Sequence, residues 1–151
     1  MSGYYRRNES VIKKAFKRLN NDEVSIIRDG MTSLMDNAML NALGIHDGTH
    51  WFHRSTGDSY GWVVLHDGES VAHKVNEGRH GDGRAYEQLI AASRLVSRTG
   101  WVGILLASMR AGDDDPTPRM FFFNLDYELS VLDEVIEDVK RNFLQYFKPI
   151  A

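Results

Sequence analysis

The sequence predicts an α+β fold: one domain in which an antiparallel sheet of about five strands carries helices packed on one face. Three observations lead there. Apolar residues recur at helical spacing in three separated stretches, short aromatic and β-branched runs lie between them, and Gly- and Asp-containing turn signals separate those runs. The order is α-β-β-β-α-β-β-α, and no shift in composition divides residues 1–151 into two units.

The first stripe is formed by Val24, Ile27, Met31, Leu34, Met35, Ala38 and Ala42, with Gly44 placed to close the helix. Gly30 lies inside it at a cost of about 1 kcal/mol relative to Ala, which predicts a bend or a late start. Before it, residues 1–20 form a basic segment in which Val11, Ile12, Ala15, Phe16 and Leu19 stand in helical register, a short helix of its own. Residues 50–53, 60–66 and 70–75 then read as a meander of three strands. The Asp67-Gly68 pair joins the last two, because a tight primed turn needs the positive φ that this dipeptide supplies. A Gly-rich link at residues 78–83 leads to a helix over residues 84–98, with Asp82 as its N-terminal cap and Gly100 after its end.

Residues 101–109 and 119–125 are two further extended runs joined by an acidic connection at 110–118. Ser130 and Asp133 have the spacing of a capping box for a last helix, whose stripe is Leu132, Val135, Ile136, Val139, Phe143, Tyr146 and Phe147. Pro149 stops it. In the run Phe121-Phe122-Phe123, alternation puts Phe122 on the face opposite its neighbours. Either both faces are covered, or an aromatic anchor stands exposed beside Asp126, Tyr127 and Glu128 in the manner of an interface hot spot.

The chain has 151 residues, 42% of them hydrophobic and 26% charged, which fits a globular domain and neither a disordered nor a membrane protein. It has no cysteine, so disulfides, thiolate zinc sites and a cysteine nucleophile are excluded. The apolar run at 101–109 falls far short of the ~20 residues of a membrane helix. Lys13, Lys14, Lys17 and Arg18 stand where a signal peptide would be apolar, so a cytoplasmic protein is expected.

A net charge of −3 argues against a nucleic-acid scaffold held by bulk charge, and no direct nucleic-acid contact is expected. The distribution is uneven, with six basic and one acidic residue in 1–19 and nine acidic and one basic residue in 113–138. The second window is either a solvated face or a surface aimed at a basic partner.

Catalytic signals are weak. Of the six histidines, His50 and His53 would point to opposite sides of a strand and so disfavour a shared metal; no metal or other cofactor is expected. His50, His53 or His80 with Arg79 or Arg84 could supply the base, acid and cation of a nuclease, although no spacing rule singles out one set. The 78–83 loop lacks the spacing of a phosphate-binding fingerprint and reads as a flexible strand-to-helix connection.

An opening helix, a strand led by Trp51, the hairpin at 60–65, a long helix at 86–96, Gly100-Trp101 and the stretch Phe121-Phe122-Phe123-Asn124-Leu125-Asp126-Tyr127 follow one another here. This pattern is similar to the YezG-type antitoxin and immunity proteins of bacteria over roughly residues 22–147. The basic N-terminal segment and the histidine-rich first hairpin depart from it. The resemblance implies a non-catalytic protein that neutralises a cognate toxin, commonly a nuclease, by covering its working surface. Electrostatics points the same way, since a nuclease is cationic where it grips phosphate and an acidic face would compete for that surface.

The expected partner-binding residues are therefore Asp113, Asp114, Asp115, Asp126, Tyr127, Glu128, Asp133, Glu134, Glu137 and Asp138, and the expected partner is a basic, nuclease-like toxin. A homodimer is left open, and no membrane partner is expected. The alternative is a small hydrolase or nuclease, metal-dependent or not, built on His50, His53, His80 and Arg84.

Overall fold

The computed structural model describes residues 9–44, 57–96, 99–125 and 132–150, with side chains in the first helix described over 23–40. Helix α1 (Glu9–Gly44) is followed by the hairpin β1 (Ser59–His66) and β2 (Glu69–Asn76), helix α2 (Ala85–Ser93) and strands β3 (Trp101–Met109) and β4 (Met120–Asn124). Two short helices, α3 (Leu132–Asp138) and α4 (Phe143–Tyr146), then lead to a two-residue strand, β5 (Lys148–Pro149). The sheet is antiparallel with order β2-β1-β3-β4-β5, so the α+β class and the single five-stranded sheet are as expected. The fifth strand among the described residues is β5. The expected strand at 50–53 lies outside them, as does Ser130 of the expected capping box.

The helices divide between the two faces of the sheet. Trp62, Val64, Leu105, Phe121 and Phe123 point to one side, where Met31, Leu34, Met35 and Ala38 of α1 and Leu132, Val135 and Phe143 of α3 and α4 cover them. Val63, Leu65, Val102, Ile104 and Leu106 point to the other, under Ala85, Leu89 and Ala92 of α2. Helices on a single face were expected. The reason for the difference lies in β3, which is buried at every one of its positions; a strand covered on both sides has no polar alternation. Phe122 joins the α2 side and its two neighbours the α1 side, so the aromatic run belongs to the core, and Phe121 and Phe123 are no exposed anchor.

Helix α1 runs unbroken from Glu9 through Gly30 to Gly44, where a late start and a separate short helix before it were expected. A Cβ at Gly30 would lie 2.6 Å from Leu132 Cδ2, so the glycine serves the close approach of α3. The Asp67-Gly68 turn has φ values of 50° and 86°, as a primed hairpin turn requires. Its Asp67 also accepts from the Gly100 N–H at 2.8 Å and donates its own N–H to the Gly100 carbonyl at 2.9 Å, fixing the start of β3.

Two further boundaries differ. Helix α2 ends at Ser93, and the turn bonds Leu95 N–H to Ala92 and Val96 N–H to Ser93 finish the segment. The expected last helix is broken at 139–142, because Asn142 leaves helical geometry (φ −125°, ψ 49°) with its amide and side chain both bonded to Asp138. Beyond the break, Phe143 and Phe147 stack at 4.8 Å and pack against Phe121 and Phe123. Pro149 then sits in an edge strand, where its lack of an N–H costs nothing in the ladder.

Candidate functional site

The outward side of α3 is acidic. Leu132, Val135 and Val139 are buried against the core, and that leaves Asp133, Glu134 and Glu137 exposed on the opposite side of the same turns. Asn37 of α1 holds the helix by donating to the Ile136 carbonyl at 3.1 Å. Glu137 is shared with Lys140 at 3.1 Å. Asp138 is set apart: it is half-buried and accepts from the Tyr146 hydroxyl and from Asn142 Nδ2. Those two bonds, the first foremost, with Arg141 nearby, hold its carboxyl below the usual range.

The acids of the 110–119 connection are differently placed. This connection joins the end of β3 to the start of β4, whereas α3 follows β4, so strand β4 separates Asp113, Asp114 and Asp115 from α3 along the chain. Asp113 accepts from the Arg110 N–H at 2.9 Å and from Arg119 Nη2 at 2.6 Å. Asp115 accepts from the Thr117 side chain and, at 3.1 Å, its N–H; those bonds, the hydroxyl first, lower its pKa. Arg84 donates to the Asp113 carbonyl at 3.1 Å, and the charges of Asp114 and Asp113 help keep it protonated after its main partner, Asp82. The Asp113 carboxylate is thus answered by Arg119, while Asp114 and Asp115 remain exposed. Asp126, Tyr127 and Glu128 lie outside the described residues.

Of the alternative residues, His80 and Arg84 fall at the same end of the sheet as the 110–119 connection. The His80 carbonyl accepts from Ala111 N–H at 2.8 Å, and Arg84 pairs with Asp82 at 2.7 Å, which in turn accepts from Gly112 N–H at 3.3 Å. Arg84, then Gly112, lowers the Asp82 pKa. Asp82 was the expected cap of α2, but its carboxylate is taken up by Arg84 and Gly112, and the N-cap position falls to Arg84 with no side-chain cap. Arg79 and His80 lie side by side over Gly57, both exposed. His50 and His53 are outside the described residues. His66 stacks on Trp101 at 4.3 Å and His73 meets Tyr86 at 4.5 Å, each on its own part of the sheet. Among the described residues, no three or more His, Asp or Glu are grouped so as to hold a metal ion.

Sequence reasoning missed the bonds that close this end of the sheet. Asp58, buried, accepts from Ser108 Oγ at 2.6 Å and Arg110 Nε at 2.7 Å. Ser59 donates to the Glu77 carbonyl at 2.6 Å, and the Glu77 carboxylate accepts from Gly83 N–H at 3.1 Å. The 78–83 loop is accordingly packed tight: a Cβ at Gly78 would lie 2.0 Å from the Gly57 carbonyl oxygen, and one at Gly81 2.1 Å from that of Glu77. Only the glycine count hinted at this.

Comparison of the chain with protein-family models, with curated proteins and with solved structures found no match. Among the described residues, no helix is long and apolar enough to cross a membrane.

Proposed function

We propose that this chain is a non-catalytic binding protein of the immunity or antitoxin kind, which works in the cytoplasm and engages a basic, nuclease-like protein through the exposed side of α3. The observation that supports this reading is the division of α3 into a buried apolar side and an outward side carrying Asp133, Glu134 and Glu137. A short helix pinned to the core presents its charges in a fixed arrangement, so a partner meets a prepared field and little ordering is required of the surface. Asp114 and Asp115, exposed in the connection between β3 and β4, add to the acidic character. The resemblance to the YezG-type proteins supplies the toxin-neutralising part of the reading.

The test is a pull-down of the tagged chain from its own cells at low salt, repeated with Asp133, Glu134 and Glu137 neutralised together. A basic polypeptide that elutes with a salt step and is lost with the variant supports the reading. Equal capture by both forms, or capture of no polypeptide, overturns it.

A second reading keeps the hydrolase. It is favoured by the convergence of His80, Arg79 and Arg84 with Arg110 at one end of the sheet, a set that could bind and protonate a phosphodiester. Hydrolysis of RNA or DNA by the pure chain that disappears in His80→Ala would establish it.

A further inference from the structure

Between the β1–β2 turn and the end of α2 is a cavity of about 290 Å³, lined by Leu65, Asp67, Gly68, Glu69, Ile90, Ser93 and Arg94. Its apolar walls come from Leu65, which is almost wholly buried, and from Ile90, which is half-buried. Two carboxylates and one guanidinium complete it. Asp67 is held in place, with one oxygen accepting the Gly100 N–H at 2.8 Å and the other 3.5 Å from His66 Nε2. Among the described residues, the side chains of Glu69 and Arg94 make no hydrogen bond or ion pair, although they line the same hollow and carry opposite charge.

An acid and a base that share a cavity without meeting leave room for a group that meets both. We infer that this cavity binds a small zwitterion with an apolar body, the simplest member of that class being a free apolar α-amino acid. Its ammonium faces Asp67 and Glu69, its carboxylate takes the forked donors of Arg94, and its side chain lies on Leu65 and Ile90. The volume agrees, since it stands at the small end of the ~300–1,000 Å³ that ligand sites usually occupy. This site is separate from the acidic side of α3, and its occupation does not depend on the function proposed above.

The experiment is an NMR titration of the full chain with L-leucine and L-phenylalanine, following the amides of Gly68, Glu69, Ile90 and Arg94. The expected result is saturable shifts with a Kd on the order of 1 mM, as befits so few contacts. L-leucinamide, without the carboxylate, and isocaproate, without the amine, should each bind about tenfold more weakly, the loss of one charge-assisted hydrogen bond. Glu69→Gln and Arg94→Gln, both surface changes, should weaken L-leucine to a similar degree with the rest of the spectrum unmoved. Shifts that never saturate, or that are equal for the zwitterion and its two single-charge analogues, would overturn the inference. So would undiminished binding in both variants.

Discussion

The indole N–H of Trp62 donates to the Asp36 carboxylate at 3.0 Å, so the largest side chain buried in strand β1 is tied to helix α1 by its one polar atom. Lys74 of β2 approaches the same carboxylate at 3.6 Å. The bond fixes how far α1 can slide along the sheet. Asp36→Ala leaves the Trp62 donor buried and unpaired, and should lower stability by about 1–3 kcal/mol, read as an earlier urea midpoint with an unchanged slope. If the bond is the cause, Asp36→Ala made in a Trp62→Phe background should cost much less.

Gly78 and Gly83 both have positive φ, 62° and 82°, yet they should respond differently to alanine. At Gly83 there is nothing within 4 Å of a new Cβ, and only the backbone preference is lost, about 1 kcal/mol. At Gly78 the same methyl group would collide with the Gly57 carbonyl, a backbone atom that cannot swing away. Gly78→Ala should therefore cost more than about 3 kcal/mol, beyond the common range for single substitutions. Thermal denaturation of the two variants side by side measures the difference.

Those glycines also show where sequence reasoning stops. The Asp67-Gly68 turn and the limits of β3 were legible, because a primed turn and a fully buried strand have local signatures in residue type. The role of Gly30 was not, since what demands a missing side chain there is Leu132, about a hundred residues further on. Asp58, Ser108 and Arg110 likewise meet only after β1 and β3 have paired in register, and nothing near any one of them announces the others. The outward acids of α3 were legible from its stripe. Their difference from Asp113 was not, because acidity summed along a sequence window ignores that Arg119 and the Arg110 amide take up the Asp113 carboxylate.

Asp138 links pH to the packing of the last two helices. Its folded-state pKa is depressed, first by the Tyr146 hydroxyl and then by Asn142, so its ionised form is favoured by folding. That stability is present above the carboxyl's ordinary pKa and is lost as pH falls through the depressed one. Wild type should therefore exceed Asp138→Asn in stability at neutral pH, and the two should converge on acidification below the usual carboxylate range. Tyr146→Phe should shrink the same pH-dependent difference while leaving Asn142 to carry the remainder. Urea melts at a series of pH values would reveal parallel curves if the carboxylate had no such role.

The acids of this chain divide by what they touch, and the division predicts opposite responses to neutralisation. Asp113 holds Arg119 and the Arg110 amide, so Asp113→Asn strips a charged acceptor from an arginine that also anchors the Ser108 carbonyl at 2.8 Å. It should cost about 1 kcal/mol of stability, because the pair is partly exposed and each bond is modest. Neutralising Asp133, Glu134 and Glu137 together removes no bond to the core, only the exposed Glu137–Lys140 pair and a favourable placement of charge near the start of α3, so stability should fall by less than about 1 kcal/mol. On binding to a basic partner the order reverses. The triple variant should associate about tenfold more slowly at low salt, with the gap closing as salt screens the field, while the partner's dissociation changes little. Stopped-flow association at several salt concentrations, set beside urea melts of the same proteins, separates the two effects. A triple variant that binds at the wild-type rate would leave α3 as an ordinary solvated helix.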